Sequence, residues 1–402
     1  MTLLKDVLWS EAQEMMDELI SIRRHIHKNP ELGLEVYETR DFVEKKLQEF
    51  GYDVTRVGQA GLTTTVGNDE GKVFLLRADM DALPIVEDND LDYKSTIEGK
   101  MHACGHDIHT TMLLGAAKLL QKHKDSIPGT IKFMFQPAEE LLLGAKDMLE
   151  HGILENPKPD AALMVHVAPG YPLDVGSLIL MPHGPAMASS DWFEINIEGK
   201  GGHGSTPYLT YDPTIPMNLI FQAIQAIQSR ELPPNSLTTI TVGDIRGAVT
   251  SNVIAGSVAM GGTIRSYNEE HRQFIKDRMV QIVEGISTAM RCKGSVTFPA
   301  GVPFFDSSEK VSNVANEVLG KYIPDLTLIP PMKQDIPTMG SEDFALISQI
   351  IPATSINIAA SDSRKGGVYG VHHPKVVFDE ACIPYGVVAY VATALNWLDQ
   401  NK

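Results

Sequence analysis

Four short runs built almost wholly from apolar residues constrain this chain more than any other feature: VFLLRA (73–78), TIKFMFQP (130–137), AALMVHV (161–167) and TSINIAA (354–360). A strand that is apolar on both faces has no side to offer to water, so it belongs inside a sheet covered on both sides. The stretches around these runs supply the covering helices. Helical periodicity runs over 10–28 (Met15, Leu19, Ile22, Ile26) and stops at Asn29-Pro30; a second helix spans 36–50 and ends at Gly51, and another spans 110–122. Runs alternating with helices predict an α/β domain with a mostly parallel sheet.

From about residue 186 the texture changes. DWFEINIEGKG alternates like a half-exposed strand, a helix follows over 214–230, then come TTITVGDIRG, SVAMGGTIRSY, a helix over 268–290 and GSVTFPAG. That order, β-α-β-β-α-β, is the split pattern of a ferredoxin-like α+β unit. The expected organisation is therefore a larger domain over 1–185 and 301–402, with 186–300 inserted as a smaller one.

Composition excludes some partners. The net charge of −17 argues against nucleic acid, which needs a basic face, and against an anionic membrane surface. No run approaches the ~20 apolar residues that would span a bilayer, and the N-terminus lacks the apolar core of a signal peptide. Cys104, Cys292 and Cys382 are the only cysteines, too few and too irregular for a disulfide framework. The expectation is a soluble, cytoplasmic protein.

The reactive side chains recur at one place in the pattern. Open parallel sheets bind ligands beyond the carboxyl ends of their strands. VFLLRA is followed by Asp79-Met80-Asp81, TIKFMFQP by Glu139-Glu140, His166 sits near the end of AALMVHV, and His372-His373 lie beyond TSINIAA. MHACGHDIHTT (101–111) adds Cys104, His102, His106 and His109 at a helix start. Each alone has a bland reading: a core histidine, a solvated carboxylate pair, a small buried cysteine. Two adjacent carboxylates directly after a buried strand need a compensating cation, however, and Cys-x-His is compatible with Zn²⁺ or a similar ion.

Seven motifs occur in order along the chain: RRHIHKNPELGLE, RADMDALPI, MHACGHDIHTT, QPAEE, the VHV around His166, GKGGHGSTP and VHHP. Together they resemble the amidohydrolase branch of the M20 metallopeptidase family, across nearly the whole length. The resemblance implies a zinc-peptidase-like catalytic domain holding two divalent ions (Zn, Mn, Co or Ni), with a lid that also dimerises. It makes Cys104, His106, Glu140, His166 and His372 the metal ligands, the family's His-x-Pro order selecting His372 over His373. Glu139 becomes the general base and Asp81 the carboxylate that orients a ligand, while Asp79 stands where other branches carry a ligand histidine. From the lid, His203 is implied as the oxyanion donor and Asn252 and Arg265 as contacts to a substrate carboxylate, with Gly340 as a backbone contact to the same group. The chain departs from the family at Leu142-Leu143, usually glycine or another small residue, at Tyr208, often histidine, and at Ala255, commonly proline.

The function so implied is metal-dependent hydrolysis of an N-acyl amino acid by activated water. A dipeptidase or carboxypeptidase on the same scaffold differs only in the acyl half of the substrate. A catalytically silent binding protein is the reading from another class, and the presence of every implied ligand and of the base argues against it.

Overall fold

The computed structural model describes residues 2–68, 70–247, 250–332 and 339–402. These form two compact units. The larger comprises Met1–Gly184, Asp306–Asp335 and Leu346–Lys402; the smaller comprises Pro185–Phe305 and Ile336–Ala345.

In the larger unit the four apolar runs are neighbouring strands, in the order Thr130–Gln136, Val73–Asp79, Ala161–Ala168, Ala353–Ala359, all parallel. Gly61–Gly67 extends the sheet antiparallel to Thr130–Gln136. Every residue of Val73–Asp79 and of Thr130–Gln136 is buried, as two-sided covering requires. Leu76, Phe133, Leu163 and Ile356 from these strands share one core with Met112 and Leu113 of helix His106–Lys122 and with Val388, Val391 and Leu395 of helix Ile383–Gln400. Tyr390 ties that last helix to the sheet: its hydroxyl donates to the Arg77 carbonyl at 2.6 Å and accepts the Val165 N–H at 3.1 Å.

Three sequence expectations need adjusting. The periodic stretch 10–28 is two helices, Thr2–Glu14 and Met16–Lys28, divided at Met15. The 110–122 helix begins at His106, because a left-handed glycine, Gly105 (φ +88°), turns the chain directly into it. Contrary to the reading of the apolar runs, Glu380–Gln400 is long and apolar enough to cross a membrane by composition; 83% of its most apolar window is buried within the fold, as a core helix is.

The smaller unit has the expected β-α-β-β-α-β order. Its four antiparallel strands lie in the order Thr238–Arg246, Ser257–Ser266, Ser189–Glu198, Lys293–Val302. Helices Thr214–Ala226 and Glu269–Ala289 bury Ile220, Ile224, Ile275 and Met279 against Ile195, Ile197 and Met260 of the sheet. The side chain of Asn268 caps the second helix by accepting the His271 N–H at 2.9 Å.

Candidate metal centre

The carboxyl ends of the parallel strands carry the titratable residues of the larger unit. Asp79 ends Val73–Asp79, and Asp81 follows two residues on. Glu139 and Glu140 follow Thr130–Gln136 in a turn whose flanking residues, Ala138 (φ +53°) and Leu142 (φ +58°), are both left-handed. His166 lies in the last half of Ala161–Ala168, and His372 sits beyond Ala353–Ala359, itself at φ +64°. Left-handed backbone at non-glycine residues costs about 1–2 kcal/mol each and persists only where the surroundings enforce it. Here the enforcement is visible: Leu142 N–H donates to the Glu139 carbonyl at 2.8 Å, and His372 N–H to the Ala103 carbonyl at 2.8 Å.

Six side chains bring their donor atoms together. Cys104, His106 and His166 form one cluster, Cys104, Glu140 and His372 a second, and His106, Glu139 and Glu140 a third, with the donor atoms of each cluster within 4.8 Å of one another. Cys104 Sγ is 3.6 Å from His166 Nε2, His372 Nε2 is 3.4 Å from Glu140 Oε1, and His106 Nε2 is 3.9 Å from both Glu139 Oε2 and Glu140 Oε1. Donors about 2.0–2.3 Å from one tetrahedral ion stand about 3.3–3.8 Å apart, so the Cys104–His166 and His372–Glu140 separations are those of a ligand shell, and the His106 contacts lie just beyond it. Two further observations agree. Both ring nitrogens of His106 and Glu140 Oε1 are buried without a hydrogen-bond partner, which is costly unless something else satisfies them. His166 Nδ1 donates to the Val167 carbonyl at 2.7 Å, which leaves Nε2 with its lone pair facing the cluster. The donor set therefore fits divalent metal ions.

The electrostatics follow from the crowding. Burial and the Glu140 charge push the Cys104 thiol up, but His106 and His166 outweigh them and bring it down to about 6. Burial pulls His166 down, and the Cys104 thiolate more than reverses this, to about 8. His372 is raised to about 10 by the Cys104 and Glu140 side chains beside it.

Two aspartates support the cluster differently. Asp81 is buried; its Oδ1 accepts the Glu139 N–H at 3.0 Å, its Oδ2 the Glu140 N–H at 3.2 Å, and Oδ1 stands 3.4 Å from His106 Nδ1. It thus holds the carboxylate turn as well as facing a candidate ligand. Asp79 lies 3.6 Å from His106 Nε2, yet its oxygens are occupied: Oδ2 pairs with Arg77 at 2.7 Å and Oδ1 with His109 Nδ1 at 2.7 Å. His109 Nε2 accepts the Val167 N–H at 2.9 Å, so its single proton is on Nδ1 and it is neutral. His109 is one of the candidates of the MHACGHDIHTT stretch and serves Asp79, whereas Arg77 was not singled out by the sequence reading. The signal was available for Arg77, a charge inside a wholly buried strand, which must have a partner.

The remaining sequence candidates belong to the smaller unit and fall into two groups. His203 pairs with Val253 in a short antiparallel ladder, and Gly204 N–H donates to the Asn252 carbonyl at 2.9 Å. The Ser205 N–H, 3.1 Å from His203 Nδ1, occupies that nitrogen, so neutral His203 carries its proton on Nε2. Arg265 donates to the Ser341 hydroxyl beside Gly340, and Ala188 N–H donates to the Gly340 carbonyl at 2.9 Å. Arg265 is half-buried and burial pulls its pKa down; among the described residues no carboxylate pairs with it.

Residues 75–396 match Peptidase family M20/M25/M40. The chain belongs to this family. A thermostable carboxypeptidase (carboxypeptidase 2) of Saccharolobus solfataricus is 37% identical over 98% of this chain and 99% of its own length. The N-acetyl-L-cysteine deacetylase of Bacillus subtilis is 38% identical over 96% of this chain and 89% of its own. Among solved structures, a dinuclear metal-binding peptidase of the M20 family from Bacillus subtilis superposes with a TM-score of 0.78 at 29% identity, covering 96% of this chain and 99% of that one. At Leu142, where the resemblance leads one to expect glycine or another small residue, the backbone is left-handed, the conformation glycine adopts freely, and the chain holds it with a buried leucine.

Proposed function

We propose that this protein is a dimetal amidohydrolase that cleaves the amide bond of N-acyl amino acids. The observation that carries the reading is the pairing of Glu139 with Glu140 on one enforced turn. Glu140 faces His372 and Cys104, whereas Glu139 is absent from that second cluster. On that ground binding is assigned to Glu140 and proton transfer to its neighbour Glu139. Resident divalent ions (Zn, Mn, Co or Ni) would supply Lewis-acid polarisation of the amide carbonyl and lower the pKa of water. Cys104, His106, Glu140, His166 and His372 would hold them. Glu139 takes the proton of the attacking water and returns it to the leaving amine. From the smaller unit, His203 Nε2–H donates to the oxyanion that develops on the carbonyl, and Arg265, with Asn252 and the Gly340 backbone, holds the substrate carboxylate. The half-buried guanidinium, which no carboxylate among the described residues pairs with directly, supports that assignment.

A carboxypeptidase or dipeptidase is the second reading, favoured by the Saccharolobus relative. A panel of N-acetyl and N-benzoyl amino acids beside dipeptides, each with Zn, Mn, Co and Ni, separates the two. Faster turnover of dipeptides overturns the first reading. Glu139→Gln is expected to keep its metal, by elemental analysis, and to lose about 10²–10⁴-fold in kcat; an active variant refutes the role of the base. A homodimer through the smaller unit is part of the proposal, supported by Ile215, Leu219 and Phe221 exposed on helix Thr214–Ala226; sedimentation as a monomer only refutes it. Three free, buried cysteines fit a reducing compartment such as the cytoplasm.

A further inference from the structure

The segment RRHIHKNPELGLE has no part in the chemistry above, yet two of its residues reach the metal-ligating turn. Arg23 and His27 lie one turn apart on helix Met16–Lys28 and are 1% and 2% exposed. Arg23 Nε and His27 Nδ1 both meet the same oxygen, Asp107 Oδ2, each at 2.8 Å. Each is itself fixed from behind. His27 Nε2 is 3.2 Å from Glu87 Oε1, and Glu87 Oε2 accepts the Ser95 N–H at 2.8 Å. The Arg23 guanidinium lies 4.5 Å over the Tyr93 ring and reaches Glu380 Oε1 at 3.3 Å.

Asp107 is fully buried and directly follows His106. Its carboxylate is thus pinned by two donors from another helix. His106, by contrast, makes no hydrogen bond through either ring nitrogen. Its aim therefore depends on the backbone of the turn, and that backbone is anchored one residue away by Asp107. We propose that Arg23 and His27 are positioning residues for the Cys104–His106 turn, acting through the Asp107 carboxylate to preorganise the metal ligands. The inference rests on the assignment of Cys104 and His106 as ligands.

The test uses the full chain stripped of metal. Zn²⁺ affinity is measured by competition with a chromogenic chelator, and thermal unfolding of the metal-free protein is measured in parallel, for Arg23→Gln, His27→Gln and Asp107→Asn. Asp107→Asn removes the buried charge with little change of shape and so keeps the test available where the other variants do not fold. The expected result is a loss of about 10–100-fold in Zn²⁺ affinity, the range typical of residues that orient ligands. KM for an N-acyl amino acid is expected to stay within about 3-fold once Zn²⁺ is in excess, and kcat to recover with it. Wild-type affinity in variants that merely unfold at lower temperature overturns the proposal. His106→Ala binding Zn²⁺ as tightly as wild type overturns instead the ligand assignment beneath it.

Discussion

The Asp81 carboxylate accepts the main-chain N–H of Glu139 at 3.0 Å, and with its other oxygen that of Glu140 at 3.2 Å. One buried side chain thus sets the direction of the two carboxylates to which the reaction assigns different work. Asp81→Asn retains one acceptor oxygen and turns an amide NH₂ toward the other N–H. A buried donor without an acceptor costs about 1–3 kcal/mol. The variant is expected to fold with a lowered urea midpoint, and to lose more than about 10-fold in kcat with KM nearly unchanged. A kcat within about 2-fold of wild type separates Asp81 from the placement of Glu139.

The architecture was legible where a single segment carries its own signal. VFLLRA, TIKFMFQP, AALMVHV and TSINIAA are apolar on both faces, and they are the inner parallel strands. The residues proposed as ligands follow those strands because the carboxyl edge of the sheet is where the chain leaves the core. What was not legible are pairings between distant segments. Arg23 meets Asp107 across 84 residues and His109 meets Asp79 across 30, and no local periodicity encodes either. The left-handed backbone at Ala138, Leu142 and His372 was equally hidden, since none of them is glycine. The helix start at His106 was read four residues late because its first turn, His-Asp-Ile-His, lacks an apolar stripe.

Cys104 differs from the other cysteines in charge state. In the metal-stripped protein its thiol, held at about 6 by His106 and His166 against burial and Glu140, is mostly thiolate at pH 7.5. Burial raises both Cys292 and Cys382. Iodoacetamide is expected to modify Cys104 first, at a rate that rises through about pH 6 and levels off above it, and added divalent metal is expected to protect it. Mass spectrometry of the labelled peptides reads the result. A labelling midpoint above about pH 8, or equal modification of all three cysteines, contradicts this account of the site.

Lys132 offers a pH test remote from the metal cluster. Its buried ammonium donates to the carbonyls of Glu155 at 2.6 Å and Pro157 at 3.2 Å, and burial lowers its pKa from 10.5 to about 8. Between about pH 8 and 10.5 the unfolded chain therefore binds the proton that the folded chain has released. Stability from this group rises with pH over that window, since it rises wherever the unfolded state holds more protons. Urea midpoints of wild type and Lys132→Met at pH 7 and pH 9.5 isolate the effect from other lysines. Wild type is expected to gain on the variant at the higher pH, and a constant gap rules out the burial argument.

Gly105 joins Cys104 to His106 at φ +88°, and a Cβ built there meets Val167 Cγ2 at 2.3 Å. Alanine at this position carries two costs: about 1–2 kcal/mol for the left-handed backbone and about 1–3 kcal/mol for overpacking against a strand that also carries His166. The strand cannot retreat easily, because its main chain is held by His109 at Val167 and by Tyr390 at Val165. The turn must therefore move, and it takes Cys104 and His106 with it. Gly105→Ala is expected to lower the denaturation midpoint and to reduce bound metal below the wild-type stoichiometry at equal folded concentration. Gly99→Ala serves as the control: that glycine also has a positive φ (+79°), but nothing lies within 4 Å of its added Cβ. It is expected to pay the backbone cost alone and to keep its full complement of metal, so equal metal loss in both variants would refute the steric link between Val167 and the ligand turn.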